Sequence, residues 1–130
     1  MDMTKPLALA SAMLLAVITG GPAAAQAIAI ANINRNTPVS FEKEILPILQ
    51  KNCLACHSTS EPSGELILES PQAMLDGGDN GPAIEAGKGA ESLLLTLASH
   101  TDDPVMPPEG NDVGAKNLTS AELGLIKLWI

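Results

Sequence analysis

The chain has 130 residues and a formal net charge of −8, and 45% of its residues are apolar. So acidic a surface argues against nucleic acid and suits a basic protein partner, and the length holds one small domain with one core rather than two. Phe41 and Trp129 are the only aromatic residues and tyrosine is absent, so a core of this size is thin without apolar area from elsewhere.

Residues 1–27 open with Lys5, run apolar from Leu7 to Ile18, and reach small residues at Ala23-Ala24-Ala25 and Ala25-Gln26-Ala27. This is the pattern of a secretory signal peptide. Asp2 offsets Lys5 and low polarity continues to Ala31, so an uncleaved membrane anchor is the alternative. Gly20-Gly21-Pro22 and Gln26 interrupt the apolar run short of a bilayer span, which favours cleavage. Cutting after Ala25 or Ala27 leaves roughly 103 to 105 residues with unchanged net charge, because Asp2 and Lys5 leave together. Residues 28–38, polar from Asn32 to Pro38, are expected to be a linker that only provides spacing, and 39–130 the folded domain.

Ser40 is placed to cap a helix carrying Phe41, Ile45, Ile48 and Leu49 on one face, which Pro47 should kink by removing a backbone donor. Cys53-Leu54-Ala55-Cys56-His57 follows at once. Residues 64–69 look extended, and Ser70-Pro71 then supplies an N-cap and a first-turn proline for a helix that stops near Gly77-Gly78. The glycine-rich stretch from Asp79 to Gly89 reads as a loop. Leu93, Leu94, Leu97 and Ala98 suggest a third helix ending near His100, before the Asp102-Asp103-Pro104 breaker. The last helix is the best marked: Thr119 and Glu122 have capping-box spacing, Leu118 and Leu123 staple spacing, and Leu123, Ile126 and Trp129 or Ile130 form its apolar face. The sequence stops within that helix without a C-cap glycine, which suggests a piece of a longer protein. The fold class expected is all-α.

Cys53 to His57 decides the chemistry. The only two cysteines of the chain stand three apart with a histidine directly after the second, which is the attachment signature of a c-type haem. Two thiols in this order add across the haem vinyl groups as thioethers, and the neighbouring imidazole is then held at the iron as its proximal ligand. A redox dithiol is the first competitor, but no strand of a βαβ unit precedes Cys53. Zinc is the second, yet the chain offers only Cys53, Cys56, His57 and His100, and adjacent Cys56 and His57 would struggle to share one ion. Haem is attached to such proteins outside the cytoplasm, in agreement with an export signal. One covalent haem c, with iron, is therefore the expected cofactor, and it would supply the missing apolar area.

For the other axial position the candidates are Met74, His100 and Met106. Met106 is preferred, because Asp103-Pro104-Val105-Met106-Pro107-Pro108 restricts the backbone and holds a thioether in place without a helix. Met74 sits in a short helix where a core role is the ordinary explanation, and His100 stands at a helix end.

Phe41 to Leu49, Cys53 to His57, Gly77 to Ile84, Gly87 to Leu94, Met106-Pro107-Pro108 and Leu118 to Ile130 together resemble a planctomycete-type cytochrome c domain, over about residues 38 to 130. The resemblance implies a small cytochrome c-like fold, helices wrapped around one covalently bound haem, with first and last helices crossing near Phe41 and Trp129. It implies Cys53 and Cys56 as thioether residues, with His57 and Met106 as axial ligands. Electron transfer in a bacterial periplasm or a similar exported location is the expected role; the acidic charge suits a redox partner with a basic docking surface, and a membrane enters only if the N-terminal segment stays uncleaved. In that family the domain often precedes a β-propeller or another domain. Two rivals stand beside this reading: an electron-entry domain of a larger exported oxidoreductase, this part having no catalytic activity of its own, and a haem-based gas sensor.

Overall fold

The computed structural model describes residues 25–130, so the expected export signal lies outside the described residues except for its last three positions. Ser40 caps the first helix as its sequence requires, its hydroxyl accepting the Lys43 N–H at 3.3 Å. The helix opens with one wide π turn, Phe41–Ile45, before α1, Leu46–Asn52. Pro47 has no N–H to donate, and its ring crowds the carbonyl four residues back. The wider turn before it, in which the Leu46 N–H donates to the Phe41 carbonyl, takes up that misfit. Ile45 and Leu49 are fully buried on its inner face.

Residues 64–69 are only partly extended. Ser63–Glu65 forms a 3₁₀ turn with Gly64 and Glu65 at positive φ (64° and 57°), and the extended conformation begins at Leu66 without pairing to a strand. Gly64 has no Cβ to oppose that turn, which periodicity over six residues does not reveal. Helix α2, Pro71–Asp76, begins on the Ser70 hydroxyl, which accepts the Ala73 N–H at 3.2 Å, and ends at Gly77. Any side chain at Gly77 would run into the Gly81 backbone. Helix α3 spans Leu93–Ala98, and His100 closes it at φ 59°. Helix α4, Ser120–Trp129, carries the full capping box between Thr119 and Glu122. Its Leu123 and Ile126 are fully buried, and Trp129 meets Phe41 with ring centroids 5.2 Å apart at 34°. First and last helices thus cross where the two aromatic residues meet. Among the described residues there is no strand, only isolated bridges at His57–Pro62 and Gly78–Gly81, and the class is all-α.

The segment expected to be a spacer is instead docked onto the domain. Ile28 donates its N–H to the Ser99 carbonyl at 2.7 Å and Ala31 donates to the Ser120 carbonyl at 3.0 Å, while Ile28 and Ile30 pack against the core. Gly124 on α4 lets the Ala31 carbonyl approach where a Cβ would collide. Arg35 then forks onto Glu44 at 2.6 and 3.1 Å and holds the Pro38 carbonyl at 2.8 Å. The polar composition of 32–38 concealed this, because its own anchor is one arginine and the remaining ties are backbone groups and two isoleucines just before it. Among the described residues no helix is long and apolar enough to cross a membrane.

Candidate cofactor cavity

A cavity of about 280 Å³ opens between the end of α1, the 57–68 segment, the Gly78–Ala83 turn, α3 and the 104–118 loop. Cys53, Cys56, His57 and Met106 all line it. Leucines 66, 68, 94, 97 and 118 supply much of the wall. Met74 and His100, the other axial candidates, are not among the lining residues, and Met74 is fully buried in the core. The glycine-rich loop divides: Gly78 to Gly81 and Ala83 face the cavity, whereas Gly87 and Gly89 border a separate groove against Lys127 and Trp129.

Local hydrogen bonds fix the cysteine turn. The Cys53 N–H ends α1 on the Leu49 carbonyl at 2.7 Å, and the Cys53 carbonyl accepts the N–H groups of Cys56 and His57 at 3.1 and 3.0 Å. The Cys56 carbonyl accepts from Ser63 at 2.8 Å and the His57 carbonyl from Leu68 at 2.9 Å, so the turn is stitched to the segment that follows it. Thr59 donates its backbone N–H to Glu69 at 2.8 Å and its hydroxyl to the same carboxylate, and the hydroxyl bond first, then the backbone one, holds that carboxyl below its ordinary range. His57 Nδ1 is buried and has no hydrogen-bond partner, so no described protein group claims the imidazole through that nitrogen.

On the other side the Met106 N–H donates to the Leu97 carbonyl at 3.0 Å, which ties the loop to α3. Leu97 also accepts the His100 N–H at 3.2 Å, and His100 is buried with an unpartnered Nε2. The Asp103–Pro104 and Met106–Pro107 peptide bonds are both cis. Two asparagines that sequence reasoning passed over secure this wall. Asn111 donates to the carbonyls of Pro108 and Ala115 at 3.0 and 3.1 Å and accepts the Ala115 N–H at 2.9 Å. Asn52, buried at the end of α1, accepts the Lys116 N–H at 3.2 Å across 64 residues of sequence. A glycine-asparagine pair such as Gly110-Asn111 favours a turn and is the local signal for the first; the second has no local signal.

The competing chemistries fit this site less well. A redox Cys-x-x-Cys cysteine has its thiol pKa lowered, commonly at a helix N-terminus. Cys53 instead follows a helix C-terminus, and burial, with Glu122 adding to it, pushes its pKa up to about 12. Both cysteines are free thiols. Among the described residues no three His, Cys, Asp or Glu side chains converge as a metal site. Two free thiols, an imidazole with a buried unclaimed nitrogen and a thioether around one apolar chamber do fit a haem joined through the cysteines.

Residues 53–110 match the family model described as planctomycete cytochrome C. No curated protein and no solved structure matched the chain. The matched segment starts at Cys53 and runs through Met106-Pro107-Pro108, so it contains both facing walls of the cavity. A cytochrome c domain with cysteines in this spacing points to covalent haem c and to haem-based electron transfer. Over that segment the chain is similar to the planctomycete cytochrome C family.

Proposed function

We propose that the domain is an exported single-haem electron carrier in which Cys53 and Cys56 hold the haem as thioethers and His57 and Met106 are its axial ligands. The observation that carries this reading is the meeting of all four side chains on one apolar cavity. Bound there, the haem supplies a one-electron couple between ferric and ferrous iron. The rest of the task falls to the chain. The stitched 53–57 turn holds the imidazole and both thiols in a fixed relation, and the 104–108 segment, tied to α3 at Leu97, presents the methionine sulfur. A thioether opposite a histidine favours the reduced state and raises the potential. Two protein ligands leave no open coordination position, which suits electron transfer rather than oxygen chemistry. The leucine wall keeps water from the centre and so limits reorganisation of solvent on each transfer. The export signal expected from residues 1–27 agrees with this reading, because thioether attachment takes place outside the cytoplasm.

The test is a pyridine haemochrome spectrum together with intact mass on protein co-expressed with a cytochrome c maturation system. A c-type spectrum and the mass of one added haem are the expected result. Protein exported without haem, with Cys53 and Cys56 free or joined as a disulfide, would overturn the proposal.

A further inference from the structure

The charges of this chain are sharply segregated along it. Residues 52–115, which contain most of the cavity walls, hold eleven of the fifteen carboxylates but only one basic residue, Lys88, and so carry a net −10. That lysine is already paired with Glu85 at 2.7 Å. The remainder of the chain, with six basic residues against four acidic ones, is net +2. The whole negative excess therefore belongs to the stretch of sequence that supplies most of the cavity walls.

Residues that both line the cavity and stand exposed to solvent mark its mouth, among them Ala55, Gly64, Asp79, Pro108 and Val113. Val113 is half exposed, one of few large apolar side chains left outside. Asp79 lies on this rim, held to Gly64 by its N–H at 2.8 Å. Exposed Glu65, Glu109 and Asp112 directly adjoin Gly64, Pro108 and Val113 in the chain. An apolar centre with a charged periphery is the anatomy of a protein docking surface, and here the periphery has one sign.

Resting on the electron-carrier reading, we infer that the cavity mouth is the docking face and that its occupant is a redox protein presenting lysine and arginine side chains around its own redox centre. Each productive encounter moves one electron across the mouth, the haem iron passing from ferrous to ferric as the acceptor is reduced by one unit. The acidic rim raises the encounter rate with a cation and lowers it with an anion, and salt weakens both effects.

The experiment uses the reduced haem-loaded protein and two small oxidants: the trivalent cation tris(phenanthroline)cobalt(III) and the trivalent anion hexacyanoferrate(III). Stopped-flow rates are measured from about 0.01 M to about 0.1 M ionic strength, over which the screening length falls from about 30 to about 10 Å. Two variants each change the net charge by two units: Glu109→Gln/Asp112→Asn at the mouth, and Glu42→Lys in the first helical turn. Glu42 is ten residues before Asn52, and thus about 15 Å along the helix from the cavity. The cation's rate should fall with salt, the anion's rate should rise, and the mouth variant should slow the cation at low salt about ten-fold. The Glu42→Lys variant should change it less than two-fold. Equal effects of the two variants in protein with normal haem would overturn the docking face alone. Absence of covalent haem would overturn the carrier reading and this inference together.

Discussion

Replacing Asn111 with alanine tests whether the wall that carries Met106 is held by a side chain remote from the cysteine turn. The Asn111 amide makes three hydrogen bonds that cinch the loop between Pro108 and Ala115. Each is worth about 0.5–1.5 kcal/mol net. Asn111 is half-buried and water replaces part of what is lost, so the expected cost is about 2 kcal/mol. In a domain of this size that is a fall in Tm of about 10 °C. The loop is tied to α3 through the Met106–Leu97 bond, so loosening it should weaken methionine ligation before the helices melt. The assay follows the ferric methionine charge-transfer band and far-ultraviolet circular dichroism together on heating. The band should vanish at a lower temperature in the variant, by a wider margin than the helical signal moves. Asn111→Asp should be at least as damaging, because a carboxylate would face the Pro108 and Ala115 carbonyl oxygens in place of two donors. If Asn111→Ala keeps the band and shifts Tm by less than about 2 °C, the loop is held by its backbone alone and the reasoning is wrong.

Met106→Ala in the haem-loaded protein should lower the reduction potential, abolish the charge-transfer band and let carbon monoxide bind the ferrous form; an unaltered band removes Met106 from the ligand set. Cys53→Ala or Cys56→Ala should give haem attached by one bond or none, read as pyridine haemochrome absorbance per protein, and a normal doubly attached product contradicts the thioether assignment. Leu123→Ala, at a fully buried position of α4, should cost about 2–5 kcal/mol in urea unfolding. The Arg35–Glu44 pair gives a pH signature. The hydrogen bond from Arg35, and after it that from the Ser40 N–H, holds the Glu44 carboxyl below its ordinary value of 4.5. A lowered carboxyl pKa stabilises the fold above the unfolded value and loses that contribution as pH falls through the folded one. Arg35→Ala should therefore be less stable than the parent at pH 7, with the difference shrinking below about pH 4.5, and a difference that stays constant down to pH 2 would exclude the pair as its source.

Much of this protein is legible without coordinates because its signals are local. Ser40, Ser70 and the Thr119–Glu122 box each name a helix start within four residues, and all three cap as expected. The Cys53 to His57 run carries its chemistry in its covalent order, so it could be read with no neighbour in view. The sequence also preferred Met106 over Met74 and His100, but which of the three shares a cavity with that run is visible only in the tertiary structure. That Met106 lines the same cavity while His100 and Met74 do not depends on backbone ties, such as Met106 to Leu97, which leave no pattern in residue types. The docking of Ile28 and Ala31 rests on main-chain donors and on a glycine two-thirds of the chain away. Asn52 and Lys116 likewise meet across 64 residues. Caps and periodicity arise between residues a turn apart, where the chain itself sets the distance. The cavity is made by segments whose distance is set only by packing, and side-chain identity does not encode that until the helices have met.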